Sequence, residues 1–391
     1  MRFVKLCLTG LALTCVAPAG AHDSNAIAQA RRISFPKLED GRAVLAVDLH
    51  THSVFSDGSV WPDIRVEEAR RDGLFALAVS EHLEYQPKRA DIPHPDRNRS
   101  FELARQAAEA GAAGAAGAPL LVINGSEITK AIAVPGHMNA VFITDANALL
   151  PRAGLGPVDA AREQLKAAVA QGAFTFWNHP YWSAQRPDGV AVLDPVHAEF
   201  IQQGLLHGIE VANGADMSDE AFRIALDYNL AILGTSDVHG LIDWEYDLAG
   251  GGHRTATLVL AASPTGDGVK SALRAGDTVA VYNDNLLGRA ANVEAVVRSS
   301  LRLEVGAALP RTRVVSVSLK NDAPVDYMLQ NMGPEGAYDE GHVFIVRSGA
   351  TQSLLIKDVA DPAKLSLTFR VLNAYTGPRE HLTLQLRDRT P

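Results

Sequence analysis

Hydrophobic residues in the first two thirds of the chain form short, almost wholly apolar runs separated by amphipathic stretches. Such runs are typical of strands that are buried on both faces of a parallel sheet. They cover Ala43–Val47, Phe75–Val79, Leu120–Ile123, Ala140–Ile143, Ala173–Trp177, Gly208–Ala212 and Leu230–Leu233. The stretches between them predict helices at Asp63–Arg71, Phe101–Ala110, Asp159–Ala170 and Asp219–Tyr228, the last capped by Ser218. This alternation predicts an α/β fold, a closed or nearly closed seven-stranded parallel barrel over residues 43–291.

The pattern changes after about residue 292, where short and often alternating apolar segments are separated by Gly, Pro, Asn and Asp. These segments are Arg313–Leu319, Val343–Val346, Ser353–Ile356, Leu365–Val371 and Leu382–Leu386. Because helix signals are absent and the spacing suits strands, residues 292–391 are predicted to form a small immunoglobulin-like β-sandwich. Its histidines and acids do not cluster in the sequence, so we expect this domain to pack or dock rather than catalyse.

The first 21 residues have the pattern of a cleaved secretory signal peptide. Arg2 and Lys5 precede an apolar segment, residues 6–16, and Ala19-Gly20-Ala21 is a small-residue cleavage site. The apolar segment is too short to span a bilayer as a helix. A lipoprotein modified at Cys15 is the alternative, although residues 12–14 fit a lipobox poorly. We therefore expect a periplasmic or secreted protein, with residues 22–42 forming a short segment before the barrel.

Composition narrows the chemistry of any metal site. Both cysteines, Cys7 and Cys15, lie in the predicted signal peptide, so the mature chain would have only nitrogen and oxygen ligands to offer. Loss of Arg2 and Lys5 leaves 34 of the 36 basic residues against 45 acidic ones, a formal net charge of −11. Such acidity argues against binding to a nucleic-acid backbone. No later segment has the pattern of a membrane span.

Nitrogen and oxygen ligands occur next to nearly every predicted strand. They are His50, His52, Asp57, His82, Glu127, His137, His179, Asp237 and His239. A parallel β/α barrel brings the carboxyl ends of its strands to one face, where these side chains would converge. Each residue taken alone has a simpler interpretation as a hydrogen-bonded core residue. Nine such residues at successive strand ends instead predict a metal centre.

These residues resemble the motifs of the PHP (polymerase and histidinol phosphatase) superfamily, in the branch of exported proteins with a C-terminal β domain. The resemblance covers residues 45–288 and includes the segments 254–259 and 272–278. It implies a distorted seven-stranded barrel holding two or three divalent metal ions. Imidazole and carboxylate ligands without sulfur suit Zn, Mn or Fe, and the sequence does not choose among them. The resemblance also implies a first metal on His50, His52, Glu127 and Asp237, a second on Glu127, His137 and His179, and a third on Asp57, His82 and His239. Asp57 replaces a histidine found in some relatives.

The resemblance implies hydrolysis of small organic phosphate esters through a hydroxide that bridges the metals. We expect Glu127, Asp237 and His239 to take part in catalysis and Lys130 to contact the phosphate. Only this one well-placed basic candidate is found near the ligands, which favours phosphodiesters over monoesters. Asp48 is expected either to orient a ligand imidazole or to serve as a strand-end hydrogen-bonding residue. Residues 177–182 contribute aromatic side chains either to a substrate pocket or to the core.

Three alternative functions remain open. A phosphomonoesterase of the same family would use the same ligands. An amidohydrolase-type metal hydrolase also begins with a His-x-His motif, but it typically bridges its metals through a modified lysine rather than a glutamate such as Glu127. A non-catalytic periplasmic metal-binding protein would be favoured by lost ligands, and in this sequence all nine are present.

Overall fold

The computed structural model describes residues 32–114, 120–128, 134–337 and 340–388. Its strands are β1 Ala43–Asp48, β2 Ala76–Val79, β3 Leu121–Ile128, β4 Met138–Val141, β5 Phe174–Trp177, β6 Gly208–Asn213, β7 Asp216–Met217, β8 Ala231–Thr235, β9 Ala256–Ala261, β10 Thr278–Tyr282, β11 Asn285–Gly288, β12 Leu301–Ala308, β13 Val315–Asn321, β14 Tyr327–Asn331, β15 Val343–Val346, β16 Thr351–Ile356, β17 Ser366–Gly377 and β18 Glu380–Arg387. Its α-helices are α1 Pro62–Asp72, α2 Arg99–Gly114, α3 Pro157–Ala170, α4 Pro195–Gln202, α5 Asp219–Asp227, α6 Ile242–Glu245, α7 Gly266–Ala275 and α8 Ala290–Ser300.

The seven apolar runs of the N-terminal part all form strands. β1, β2 and β3 are parallel neighbours, and β5, β6 and β8 form a second parallel group. The prediction that all seven are parallel is wrong for β4, which runs antiparallel to both β3 and β5. An apolar run indicates burial on both faces, but it carries no information about strand direction.

The reversal of β4 decides where His137 lies. His137 directly precedes β4, whereas Glu127 lies near the carboxyl end of β3 and the other predicted ligands follow their strands. Because β4 runs opposite to its neighbours, its amino end is at the edge where β3 and β5 have their carboxyl ends. His137 therefore lies at the same end of the strands as the ligands of the parallel strands.

The sheet continues from β1 through strands that the sequence pattern did not reveal. β1 pairs antiparallel with β9, β9 with β10, and β10 with β11. β8 lies against this group through side chains: the backbone N–H of Gly234 donates to the Thr257 hydroxyl at 3.0 Å, and that of Ile232 donates to the Thr278 hydroxyl at 3.1 Å. Both threonines are fully buried, so the hydroxyls satisfy backbone groups that would otherwise be unpaired.

The predicted helices α1, α2, α3 and α5 all occur, with bounds within a few residues of those expected. The Ser218 hydroxyl accepts a hydrogen bond from the backbone N–H of Ala221, as the predicted cap of α5 requires. Four further helices, α4, α6, α7 and α8, were not predicted from the sequence. The predicted domain boundary at residue 292 lies inside α8.

The C-terminal part is rich in β-strands and joined to the barrel. β12, β13 and β16 form one sheet, while β14, β15, β17 and β18 belong to another. β17 also pairs in parallel with β11 of the N-terminal part, at Leu286 with Ala374 and Leu287 with Tyr375. One hydrophobic cluster extends from the barrel through α8 into both sheets. The two parts therefore share backbone hydrogen bonds and a core.

Two expectations concern the N-terminus and membranes. The predicted signal peptide lies outside the described residues, as do residues 22–31 of the predicted segment 22–42. Within the described ranges, no helix combines the length and apolar character needed to cross a bilayer.

Candidate metal centre

All nine predicted ligands converge on one side of the barrel, next to a cavity of about 510 Å³. They form three groups in which the possible ligand atoms lie within 4.8 Å of one another. The groups are His50, His52 and Asp237; Glu127, His137 and His179; and His52, Asp57, His82 and His239. His50, His52 and Glu127 are almost completely buried, and His239 is the most exposed of the histidines in these groups.

Glu127 lies between the groups and is fully buried. Its Oε2 is 3.3 Å from the Nε2 atoms of His50 and His52. Its Oε1 is 3.0 Å from Nδ1 of His137 and 3.6 Å from Nε2 of His179. Each carboxylate oxygen thus faces a different set of imidazoles, which is the arrangement needed to bridge two cations.

Around His50 and His52, atoms with free electron pairs face one another. The two Nε2 atoms are 3.1 Å apart, and both lie within 3.1 Å of Oδ1 of Asp237. Among the described residues, Asp237 Oδ1 and Glu127 Oε2 have no hydrogen-bond partner although both are buried. Unpaired buried carboxylate oxygens are costly, and nitrogen and oxygen donors directed at one point suit a divalent cation. The residues therefore fit a metal ion.

Asp57 joins His82 and His239 on the outer side of the cluster. Its Oδ2 is 3.2 Å from Nε2 of His82, and its Oδ1 is 3.2 Å from Nε2 of His239. Gly58 makes this placement possible, because a Cβ at that position would lie 2.7 Å from the carbonyl carbon of His52. The aspartate that replaces a histidine of some relatives is thus directed at both remaining members of the predicted third site.

One solved structure is similar over nearly the whole chain. It is a two-domain protein containing a predicted PHP-like metal-dependent phosphoesterase from Bacteroides vulgatus, 34% identical, with a TM-score of 0.79 over 91% of this chain and 98% of that one. The chain belongs to this PHP-like phosphoesterase family. Residues 301–387 of this chain match a family model described as an Ig-like domain. The predicted family is thus confirmed, as is the predicted immunoglobulin-like character of the C-terminal domain.

Two other solved structures are less similar to this chain. A putative metal-dependent phosphoesterase from Bifidobacterium adolescentis is 20% identical over 50% of this chain and 88% of that one, with a TM-score of 0.37. An amidohydrolase from Chromobacterium violaceum is 16% identical over 50% of this chain and 88% of that one, with a TM-score of 0.35. None of the curated proteins matches this chain significantly.

Opposite charges in the candidate site raise the pKa values of His82 and His239 and lower that of Glu127. Burial disfavours a charged His82, but the charges of Glu127 and Asp57 outweigh it and raise the pKa of His82 to about 10. Burial is likewise outweighed at His239, where Asp57 and Asp237 raise the pKa to about 9. Burial would raise the pKa of Glu127, yet the neighbouring imidazoles hold it well below its usual range. The site thus concentrates negative charge that protons or metal cations can compensate.

Glu210 is a buried residue of the site that the sequence reasoning missed. Its Oε1 lies 2.8 Å from Nδ1 of His50, and its Oε2 accepts the backbone N–H of His179 at 2.7 Å. The Thr235 hydroxyl and the Asn213 amide also donate to this carboxylate, at 2.7 and 2.9 Å. Its position within the apolar strand β6 was a usable signal, because a glutamate buried in a strand requires partners.

Glu210 also helps to hold a strained backbone. His179 and Asp237 have positive φ angles of 26° and 50°, which residues other than glycine rarely adopt. The His179 N–H donates to Glu210, and the Asp237 N–H donates to the His50 carbonyl at 2.9 Å. Such strain persists where surrounding contacts over-determine it, as at many functional sites.

Other hydrogen bonds position the remaining ligands. Nδ1 of His52 is 3.3 Å from the Ser56 hydroxyl, which donates to the Glu81 carboxylate at 2.5 Å. The Asn178 amide donates to Oε1 of Glu127 at 2.9 Å. Partners of this kind orient metal ligands and are often as important as the ligands themselves.

The sequence also predicted roles for Lys130, Asp48 and the aromatic side chains of residues 177–182. Lys130 lies outside the described residues, so its contact with phosphate stays a prediction. The Asp48 carboxylate contacts Arg254 and the Ser236 N–H rather than an imidazole, at 3.2 and 3.1 Å, so it is a strand-end partner. Trp177 is 2% exposed and belongs to the core. Residues 181 and 182 line the cavity.

Proposed function

We propose that this protein is an exported metal-dependent phosphoesterase that hydrolyses small organic phosphodiesters in preference to monoesters. The observation that carries the proposal is the convergence of nine nitrogen and oxygen ligands, in three groups around Glu127, beside one open cavity. Family membership supports a metal-dependent hydrolase. Export is supported by the signal-peptide pattern of residues 1–21.

The proposed ligand sets follow the distances. His50, His52 and Asp237 would hold a first ion with Oε2 of Glu127, while His137 and His179 would hold a second with Oε1. The side chains of Asp57, His82 and His239 would hold a third. Bound Zn, Mn or Fe would acidify a water and neutralise charge on the phosphoryl oxygens.

The protein's own residues contribute positioning and proton handling. The imidazoles around Glu127 favour its charged form in a buried site, so it can bridge cations without taking up a proton at neutral pH. The side chain of His239 is 40% exposed, and its Nε2 faces Asp57 at the mouth of the site. These positions support a bridging role for Glu127, a role in binding the first ion for Asp237 and a role near the leaving group for His239.

The preference for diesters rests on charge. A dianionic monoester is best bound by a dense set of cationic side chains. Among the described residues that line the cavity, none is Lys or Arg. A monoanionic diester places a smaller demand on such groups.

The test is hydrolysis of bis(p-nitrophenyl) phosphate and p-nitrophenyl phosphate by purified protein loaded with Mn or Zn, together with metal analysis. We expect faster metal-dependent turnover of the diester, and a loss of at least about 100-fold in Glu127→Gln. Faster turnover of the monoester would contradict the diester preference. Turnover of neither ester by metal-loaded protein would contradict the function and favour a metal-binding protein.

A further inference from the structure

Two solvent-exposed aromatic rings contact the imidazoles of the candidate metal site. Tyr85 is 54% exposed, and its ring centroid lies 5.7 Å from that of His82. Trp182 is 41% exposed, and its ring lies 5.6 Å from His137 and 5.4 Å from His179. Rings held beside a polar site and left open to solvent are suited to bind flat apolar groups of a ligand.

The two rings stand beside different imidazoles of the Glu127 bridge. His82, next to Tyr85, is 2.8 Å from Oε2 of Glu127, whereas His137, next to Trp182, is 3.0 Å from Oε1. A phosphoryl group bound at the bridge would therefore have one aromatic ring near each set of ligands. A phosphodiester has two organic groups on its phosphorus, so two rings match it better than a monoester.

The charge around Trp182 restricts the organic group further. Asp216 and Met217 line the same cavity, and no Lys or Arg occurs among its described lining residues. The Asp216 carboxylate would repel an anionic substituent in this cavity, while the Met217 thioether and the Trp182 indole favour an apolar ring. The group that binds here is expected to carry no negative charge of its own.

We propose that the substrate is a phosphodiester whose two ester groups are uncharged and bear flat rings, such as aryl or nucleoside groups. Trp182 binds the group that stays on phosphorus. Tyr85 binds the leaving group, because Tyr85 is beside His82, which with Asp57 and His239 would hold the third ion. Water oxygen bonds to phosphorus as one ester P–O bond breaks, yielding a phosphomonoester and an alcohol that takes the proton. This inference rests on the proposed function.

The test compares two diesters with the same leaving group. Bis(p-nitrophenyl) phosphate and methyl p-nitrophenyl phosphate both release p-nitrophenol, and they differ only in the retained group. In Trp182→Ala, we expect the ratio of kcat/KM for the bis-aryl ester to that for the methyl ester to fall about 10-fold. In Tyr85→Ala, kcat/KM should fall for both esters equally, since both lose the same leaving-group contact.

Controls separate substrate contact from damage to the site. Tyr228→Ala removes a ring of similar exposure, 42%, at the end of α5, and should leave the ratio unchanged. Metal content of Trp182→Ala should equal that of the parent protein. Titration calorimetry with diphenyl phosphate, which has a poor leaving group, should give about 10-fold weaker binding to Trp182→Ala than to Tyr228→Ala.

The outcomes distinguish the two proposals. If metal-loaded parent protein hydrolyses no phosphate ester, the proposed function fails. If it hydrolyses both diesters and Trp182→Ala keeps the parental ratio, the function stands and the ring-binding inference is overturned. A reduced ratio in Tyr228→Ala of the same size would overturn it as well.

Discussion

Glu210 is the residue that connects two candidate metal ligands from different parts of the chain. Its carboxylate faces Nδ1 of His50 and the backbone N–H of His179, and it is fully buried. A carboxylate that accepts from an imidazole directs the other ring nitrogen toward a metal and increases its basicity. Glu210 therefore orients one ligand of the proposed first ion and one of the second.

We predict that Glu210→Gln weakens metal binding by about 10- to 100-fold, as is typical when such a partner is altered. Glutamine has only one acceptor oxygen, and its NH₂ group would face one of the donors that now bond to Glu210. The measurement is metal retained after dialysis against a graded series of chelator concentrations. Unaltered retention would mean that Glu210 only supports the fold.

A matched control is available on the surface. Glu199 pairs with Arg162, and its side chain is 39% exposed. Glu199→Gln makes the same chemical change far from the ligands, so its metal retention should equal that of the parent. Circular dichroism of both variants would detect any loss of structure that accompanies metal loss.

At the scale of elements, Arg254 ties three parts of the barrel together. It precedes β9 and donates two hydrogen bonds to Oδ2 of Asp72 at the end of α1, at 2.8 and 2.6 Å. A third bond, of 3.2 Å, reaches Asp48 at the end of β1. All three side chains are nearly inaccessible to solvent. The guanidinium thus joins α1 and β9 to the strand that precedes His50.

Replacement of Arg254 by Met should lower the free energy of unfolding by about 3–5 kcal/mol, because Asp48 would lose its cationic partner in the interior. Denaturant unfolding of metal-free protein measures this change. Arg152→Met is the control: Arg152 is 79% exposed and pairs with Glu163, and a surface pair contributes about 0–1 kcal/mol. Equal stabilities of the two variants would contradict a structural role for Arg254.

At the scale of the whole molecule, the barrel and the Ig-like domain are joined by strand pairing and by a common hydrophobic core. β11 and β17 pair across the boundary, and Asn373 donates to the carbonyls of Asp284 and Asp326 at 2.7 and 2.6 Å. Three valines of α8, Val293, Val296 and Val297, are fully buried in the common cluster. Separation of the two parts would expose these apolar side chains to water.

We therefore predict that metal-free protein unfolds in one calorimetric transition. The shared hydrogen bonds and hydrophobic cluster couple the two parts, so neither loses structure without destabilising the other. Differential scanning calorimetry should give a calorimetric enthalpy equal to the van't Hoff enthalpy. Two resolved transitions, or a protein lacking residues 301–391 that melts at the parental temperature, would contradict this coupling.

The sequence by itself was enough to indicate the buried strands, the candidate metal ligands and the family. Runs of apolar residues indicated the buried strands, and ligands beside them, from His50 to His239, indicated a metal centre, because burial and ligand type are local properties of residues. The family followed from the same motifs. The helix caps were also local, as Ser218 at α5 illustrates.

Only the tertiary structure decided the direction of β4, the partner of the His50 imidazole and the pairing of strands across the domain boundary. The antiparallel course of β4 depends on how neighbouring strands pair, and no residue within the run at Ala140 specifies it. The partner of the His50 imidazole is Glu210 rather than nearby Asp48, because side chains distant in sequence meet inside the barrel. The same reason applies to the pairing of β11 with β17. Contacts between distant segments arise from packing, and a local pattern does not encode them.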